Sequence, residues 1–189
     1  MLVKRTTEIE TSTFNVEDII SFELSDGEQV DAMAVKVEED GTIFLLVDCL
    51  RDEEPMNEED SNRGGWDASD LRVKLNGAIL DRFPQHIREN MVAFANGDFL
   101  RLPTEKEIFG VNEYGEAEDE SVEQFAPMVE RRNRIAFQGK NGAWEWYWLQ
   151  NKHKRYASRF ASVYPNGLAN YLSASGANGV RPAFKIKNL

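Results

Sequence analysis

The 189-residue sequence predicts an α+β fold built mainly from antiparallel strands. Three observations carry that prediction. Two apolar runs flanking an acidic Asp-Gly turn read as a β-hairpin between residues 30 and 47. Two or more short helices, marked by periodicity and capping signals, follow within the first two-thirds of the chain. The last third is strand- and loop-rich, aromatic, β-branched and broken by Gly, Pro, Asn and Ser. Strands and helices segregated along the chain in this way define the α+β class. The length fits one domain over residues 1–189, with residues 1–29 as an N-terminal strand or extension.

The elements follow in order. Val30 to Val37 and Thr42 to Val47 are the hairpin strands, joined by Glu38-Glu39-Asp40-Gly41, where Gly41 is expected to supply a positive φ. Residues 48–65 are acidic and turn-rich and read as an exposed loop. Their carboxylates do not follow the alternating oxygen-ligand spacing of an EF-hand. Asp67 or Ser69 can cap a helix with Leu71, Leu75 and Ile79 on one face, and Gly77 is expected to end it. Pro84 suits a first helical turn, after which Ile87 and Met91 share a face. Phe99 to Leu102 reads as a short strand. Thr104 with Glu107, and Ser121 with Gln124, have capping-box spacing, and the acidic loop 111–120 lies between them.

In the last third, Ala143 to Leu149 places Trp144, Trp146 and Trp148 at every second position, so a strand would present three indoles on one face. Such a stripe is either one wall of a core or a stacking platform for sugar rings or bases. Arg155 to Tyr164 alternates less cleanly, and Pro165-Asn166-Gly167 is a turn. Gly179 to Ile186 closes the chain as a strand, with Pro182 expected at an edge or bulge. No repeat at a solenoid or propeller period is present.

Composition narrows the function classes. One cysteine excludes an intrachain disulfide framework and any multi-cysteine zinc site. The first residues lack an apolar signal core, and no stretch approaches the ~18 consecutive apolar residues of a membrane helix. The expectation is therefore a protein without a signal peptide or membrane partner, cytoplasmic or carried on a phage particle. Acidic side chains number 33 against 22 basic ones, a net charge of −11 that disfavours nucleic acid. The charge is unevenly divided: residues 1–130 hold 11 bases and 32 acids (11 − 32 = −21), and residues 131–189 hold 11 bases and Glu145 alone (11 − 1 = +10). Either the two regions pack together and their fields partly cancel, or a basic face is kept for an anionic ligand.

No P-loop, GxGxxG turn, HExxH or GxSxG is present, so no cofactor, metal or catalytic residue is predicted. Cys49 follows an apolar strand and reads as a small core residue. The basic cluster Lys152-His153-Lys154-Arg155, with Arg159 further on, is interleaved with Tyr156, Tyr164 and Tyr171. Rigid aromatics mixed with small polar residues and cations are the composition of adaptable binding loops. The ligand-binding candidates are Lys152, Lys154, Arg155, Tyr156, Arg159, Tyr164 and Tyr171.

Several motifs share an order with a known family. Trp146-Tyr147-Trp148-Leu149-Gln150-Asn151 and, later, Gly179-Val180-Arg181-Pro182-Ala183-Phe184 resemble the W-W-L-R-S … G-V-R-P-A ending of an uncharacterised bacterial and prophage domain family. Trp66 followed by Ser69-Asp70-Leu71-Arg72-Val73-Lys74-Leu75-Asn76-Gly77 is similar to that family's "W…SSLR.WLNG" helix. Phe99 to Glu107 resembles its "FLLS..E" segment, and Ile43 to Val47 its central strand. The resemblance covers residues 30–187 and implies a C-type-lectin-like domain, distantly related to the sulfatase-modifying-factor group and to phage variable proteins. In those relatives the loops before the final strand carry the ligand site, here residues 151–178. Gln150 and Asn151 replace the family's Arg and Ser. The paired cysteines of the formylglycine-generating relatives are missing, so that oxidase activity is not implied. These readings point to a non-catalytic recognition module for a glycan or a protein surface. The alternatives are an enzyme with a site between the acidic middle and basic end, near His86, His153 or Cys49, and a structural or oligomer-forming protein.

Overall fold

Eleven strands, paired antiparallel, form three sheets in the computed structural model, which describes residues 13–188. Residues 1–12 of the expected N-terminal extension lie outside the described residues. In chain order the strands are β1 (Ile19–Glu23), β2 (Gln29–Val37), β3 (Thr42–Leu46), β4 (Met91–Val92), β5 (Leu100–Arg101) and β6 (Ala136–Phe137). They continue as β7 (Trp144–Glu145), β8 (Tyr147–Lys152), β9 (Arg159–Val163), β10 (Ala169–Ser173) and β11 (Ala183–Ile186). The largest sheet runs β1-β2-β3-β11-β4, and β5 also pairs with β11. A second sheet runs β10-β9-β8, and β6 pairs with β7. Three α-helices, α1 (Asp70–Lys74), α2 (Gln85–Arg88) and α3 (Glu105–Phe109), lie within the first two-thirds of the chain, as expected.

The hairpin forms with Ala34 opposite Phe44 and Val37 opposite Thr42, and its register slips between Ala34 and Lys36. Gly41 does not adopt the expected positive φ. A Cβ there would lie 2.6 Å from the Ile186 carbonyl oxygen and 2.9 Å from Lys185 Cγ, so the glycine is required by the close approach of β11. All five residues of β3 are buried. Phe44 and Leu46 enter one core cluster, and Ile43 and Leu45 the other. Phe184 stacks on Phe44 at 5.7 Å and meets Phe22 and Phe83 edge-on at 6.1 and 5.6 Å.

Ser69, rather than Asp67, caps α1: its hydroxyl accepts from Arg72 N at 3.2 Å. Leu71, Leu75 and Ile79 are buried together. Gly77 kinks this helical stretch without ending it, with φ −120° and ψ −106°, and helical turns continue to Arg82. Pro84 sits at the N-cap of α2, and Met91 leaves the helix to pair in β4 opposite Ile186. The Thr104/Glu107 capping box forms at α3. The Ser121/Gln124 spacing does not start a helix, because Ser121 N–H and hydroxyl both donate to Asp119. Gln124 instead donates to the carbonyls of Ile108 (2.8 Å) and Met128 (3.2 Å).

The tryptophan stripe is not one face. Trp144 is 70% exposed, Trp146 half-buried, and Trp148 fully buried with its indole N–H donating to Glu54 O at 2.8 Å. The strand breaks at Trp146, whose carbonyl accepts from Gly179 N at 3.0 Å. Pro182 lies just outside β11, and β11 is an interior strand rather than an edge, so the ladder never needs the missing N–H. The acidic loop 48–65 is pinned by Met56, which is fully buried. Arg181, 2% exposed, donates to Leu46 O at 2.7 Å, to Asn133 O at 3.1 Å and to Tyr147 Oη at 3.1 Å. Among the described residues no helix is long and apolar enough to cross a membrane.

Phe184→Ala should destabilise the protein by about 3–5 kcal/mol in urea unfolding, since it empties the junction of four rings. Gly41→Ala should cost about 1–3 kcal/mol through overpacking against β11. A neutral Gly41→Ala would show that β11 does not approach the hairpin turn this closely.

Candidate functional site

Where β8 ends, the chain makes a short turn and returns as β9, and His153 organises that turn. His153 N donates to Arg159 O at 2.8 Å, closing the backbone. Its Nδ1 accepts from Arg155 N at 2.9 Å and from Tyr156 N at 3.1 Å. An Nδ1 that accepts two amides carries no proton, which assigns the proton to Nε2. Burial, with the positive charges of Arg159, Lys154 and Arg155 added to it, holds the imidazole pKa below the ordinary histidine value. His153 is therefore a neutral ring in a cationic loop.

Three tyrosines close around it. Ring centroids of Tyr156 and Tyr171 lie 4.6 and 4.5 Å from the imidazole, and Tyr114 lies 6.2 Å away, near-parallel. Tyr114 meets Tyr171 edge-on at 5.0 Å. The Arg159 guanidinium sits 5.2 Å from the Tyr156 ring and 5.1 Å from the Tyr171 ring. Tyr156 and the side chains of Lys154 and Arg155 face solvent.

Two loops hold this cluster from opposite sides. Loop 111–120 supplies Tyr114, and its carbonyl accepts from Lys154 N at 3.0 Å. Lys154 Nζ donates to Glu113 O, and Lys152 pairs with Glu116 at 3.2 Å. Beneath the loop, the buried Glu105 carboxylate accepts from Tyr114 N (2.9 Å) and Gly115 N (2.8 Å). Burial pushes its pKa up, against the pull of these amides. Asn151 accepts from Glu105 N at 2.7 Å and donates to Glu118 at 2.9 Å. A side chain at Gly115 would collide with Asn151. From the other side, Asn62 donates to Tyr156 O and Arg159 O, both at 2.9 Å. Beside Asn62, a groove of about 540 Å3 is lined by Asn57, Glu58, Ser61, Arg63, Ala68 and Asp70, among others.

Six of the seven candidate residues therefore gather here: Lys152, Lys154, Arg155, Tyr156, Arg159 and Tyr171. Tyr164 does not, since it lies at the far end of β9 and meets Trp146 edge-on at 4.3 Å. Residues the sequence did not single out are Tyr114 and Asn62; the lone aromatic flanked by Glu113 and Gly115 was the available signal for the first. The charge split is partly cancelled by contact. Among the described residues Lys140, Lys152 and Lys185 pair with carboxylates of the acidic region, whereas Arg155 and Arg159 form no ion pair.

Residues 40–188 match the family model described as Domain of unknown function (DUF6273). The chain belongs to this DUF6273 family. No curated protein and no solved structure matches it. The DUF6273 match contains β3 to β11 and the whole His153 cluster, while β1 and β2, which extend the same sheet, precede it.

A second group of titratable residues lies beneath β7. Glu145 is buried beside Glu53, and burial with the neighbouring carboxylate raises its pKa to about 7. Cys49 is close by, and burial pushes its thiol well above the usual range. A Cβ at Gly179 would lie 2.6 Å from Glu145 Cγ and 2.7 Å from Cys49 Sγ, so backbone fills the space between them. The recess lined by Cys49 holds about 10 Å3, room for one water and no substrate. Among the described residues no three His, Cys, Asp or Glu side chains gather as a metal-binding group.

Two pH dependences follow. The folded-state pKa of His153 is lowered, so its contribution is present above the ordinary value of about 6.5 and is lost as pH falls through the folded value. Near-UV circular dichroism of the tyrosines should change on acidification, and that step should be missing in His153→Asn. The folded-state pKa of Glu145 is raised, so its contribution is complete below the ordinary glutamate value and is lost as pH rises through about 7. Melting temperature should fall across that window in the wild type, and Glu145→Gln should flatten the decline.

Proposed function

We propose that this DUF6273 chain is a non-catalytic, lectin-like recognition module that binds a glycan at the tyrosine cluster around His153. The observation that carries the proposal is a neutral imidazole ringed by Tyr114, Tyr156 and Tyr171, with the unpaired guanidiniums of Arg155 and Arg159 beside it. Flat rings receive the C–H face of a sugar, and the tyrosine hydroxyls, arginines and lysine are donors for its oxygens. Tyrosine provides this area at a small entropic cost, and the turn is already ordered by the hydrogen bonds to His153 and Asn62.

Placement in the chain also supports a lectin-like reading. The cluster belongs to the β8-β9-β10 sheet and the loops before the final strand, outside the sheet that β11 completes. Cations without carboxylate partners suit a ligand that carries negative charge. The proposal includes a single recognition domain, working in the cytoplasm or on a phage particle. Its test is a glycan array followed by calorimetry on the hits. Saturable binding is expected, weakened about tenfold, or ~1.4 kcal/mol, by Lys154→Ala with Arg155→Ala and by Tyr171→Ala. Absence of binding across the array by the folded protein overturns the proposal, and saturable capture of deglycosylated proteins alone would replace the glycan with a protein surface.

A further inference from the structure

Two of the proposed contact residues are held by one nitrogen atom. Arg155 N and Tyr156 N both donate to His153 Nδ1, at 2.9 and 3.1 Å, and the side chains of these same two residues face solvent. The rest of the turn has separate ties. His153 N donates to Arg159 O at 2.8 Å, Lys154 N donates to Tyr114 O at 3.0 Å, and Asn62 Nδ2 donates to the carbonyls of Tyr156 and Arg159. Loss of the Nδ1 acceptor would therefore release the amides of residues 155 and 156 while the remaining ties of the turn stay in place.

A proton removes that acceptor. Both nitrogens of an imidazolium are donors, so a protonated ring offers the two amides nothing in any orientation. His153 is 6% exposed and packed by Tyr114, Tyr156 and Tyr171, which leaves little room for water to replace the lost bonds. The charges around the ring oppose the proton as well. Its own turn supplies Lys154 and Arg155, and β9 supplies Arg159. From β10 comes the Tyr171 ring, and from loop 111–120 the Tyr114 ring with Glu113 and Glu116, above Glu105 of α3. Glu116 pairs with Lys152, Glu113 bears on the Tyr114 phenol, and Glu105 accepts from the amides of Tyr114 and Gly115. Among the described residues none of these carboxylates forms an ion pair with His153.

Resting on the glycan reading of the tyrosine cluster, we infer that His153 is a proton-operated latch on that site: the turn holds ligand while Nδ1 accepts the two amides and lets it go when Nδ1 is protonated. Release takes up one proton, and by linkage bound ligand makes His153 harder to protonate. The direction separates the latch from plain electrostatics. A positive charge added beside Lys154, Arg155 and Arg159 would by itself tighten a negatively charged glycan, whereas the latch weakens it.

The test is calorimetry with a glycan that binds on the array, from about pH 7.5 to about pH 5, beside NMR of the protein alone over the same range. Affinity should fall with acid, approaching about tenfold per pH unit below the His153 midpoint, with close to one proton taken up on release. The Arg155 and Tyr156 amide signals should move at that same midpoint, with the exposed His86 as internal reference. His153→Asn supplies an Oδ1 that accepts amides and does not titrate, so it should bind with one affinity across the range, whatever its level. Where that variant binds too weakly to measure, the wild-type proton count decides. Glu105, whose carboxyl is raised by burial, is intact in that variant, so an equal pH dependence there assigns the effect to Glu105 and overturns the latch. Wild-type affinity that stays flat or rises in acid also overturns it and leaves the glycan site standing. No glycan binding at any pH overturns both, whatever the amides do.

Discussion

The four residues of β11 form the interior strand on which the remaining architecture depends. They pair with β3 along one edge and with β4 and β5 along the other, so the chain from residue 47 to residue 182 is one long excursion between hydrogen-bonded neighbours. Its return is locked by Arg181, whose buried guanidinium is satisfied by two carbonyls and the Tyr147 hydroxyl, with no carboxylate partner. Phe184 meets the rings of Phe22, Phe44 and Phe83, and Gly41 lets Ile186 approach the first hairpin.

Closure of the excursion brings its loops together. Loop 57–64 and loop 111–120 grip the 152–159 segment from two sides, through Asn62 on one and Tyr114, Gly115 and Glu116 on the other. The acidic and basic regions meet here, yet their charges are not simply neutralised. Lys152 is paired, while Arg155 and Arg159 remain outside ion pairs, and Arg159 is placed over two tyrosine rings instead. A neutral histidine is what this neighbourhood requires, since a protonated Nδ1 would face two amide donors and three cations.

Elements decided by neighbours in sequence were legible without the structure. The first hairpin, the Thr104/Glu107 capping box, the Ser69 cap and the turn at Pro165-Asn166-Gly167 each depend on a few adjacent residues, and all of them form. Elements decided across the chain were not. Gly41 reads as a turn glycine, but its need comes from Ile186. The spacing of Trp144, Trp146 and Trp148 reads as one face, but Gly179 captures the Trp146 carbonyl and breaks the strand. Gly77 reads as a helix stop, but burial of Leu75 and Ile79 carries the helical path past it. At the candidate site the basic and tyrosine residues of 152–159 and Tyr171 were visible as composition. Asn62 was hidden in an acidic loop whose local signals were charge and turn propensity, and Tyr114 was marked there only as a lone aromatic.

The proposed glycan-binding surface is a neutral His153 ringed by three tyrosines. Its decisive measurement is nitrogen-resolved NMR of the histidine side chains, recorded with and without a glycan that binds on the array. A single Nε2–H tautomer is expected for His153 at neutral pH, with the His153 ring and the Tyr114, Tyr156 and Tyr171 ring signals shifting together as that glycan is added. A charged His153 at neutral pH, or ligand-induced shifts that bypass all three tyrosines, would contradict it.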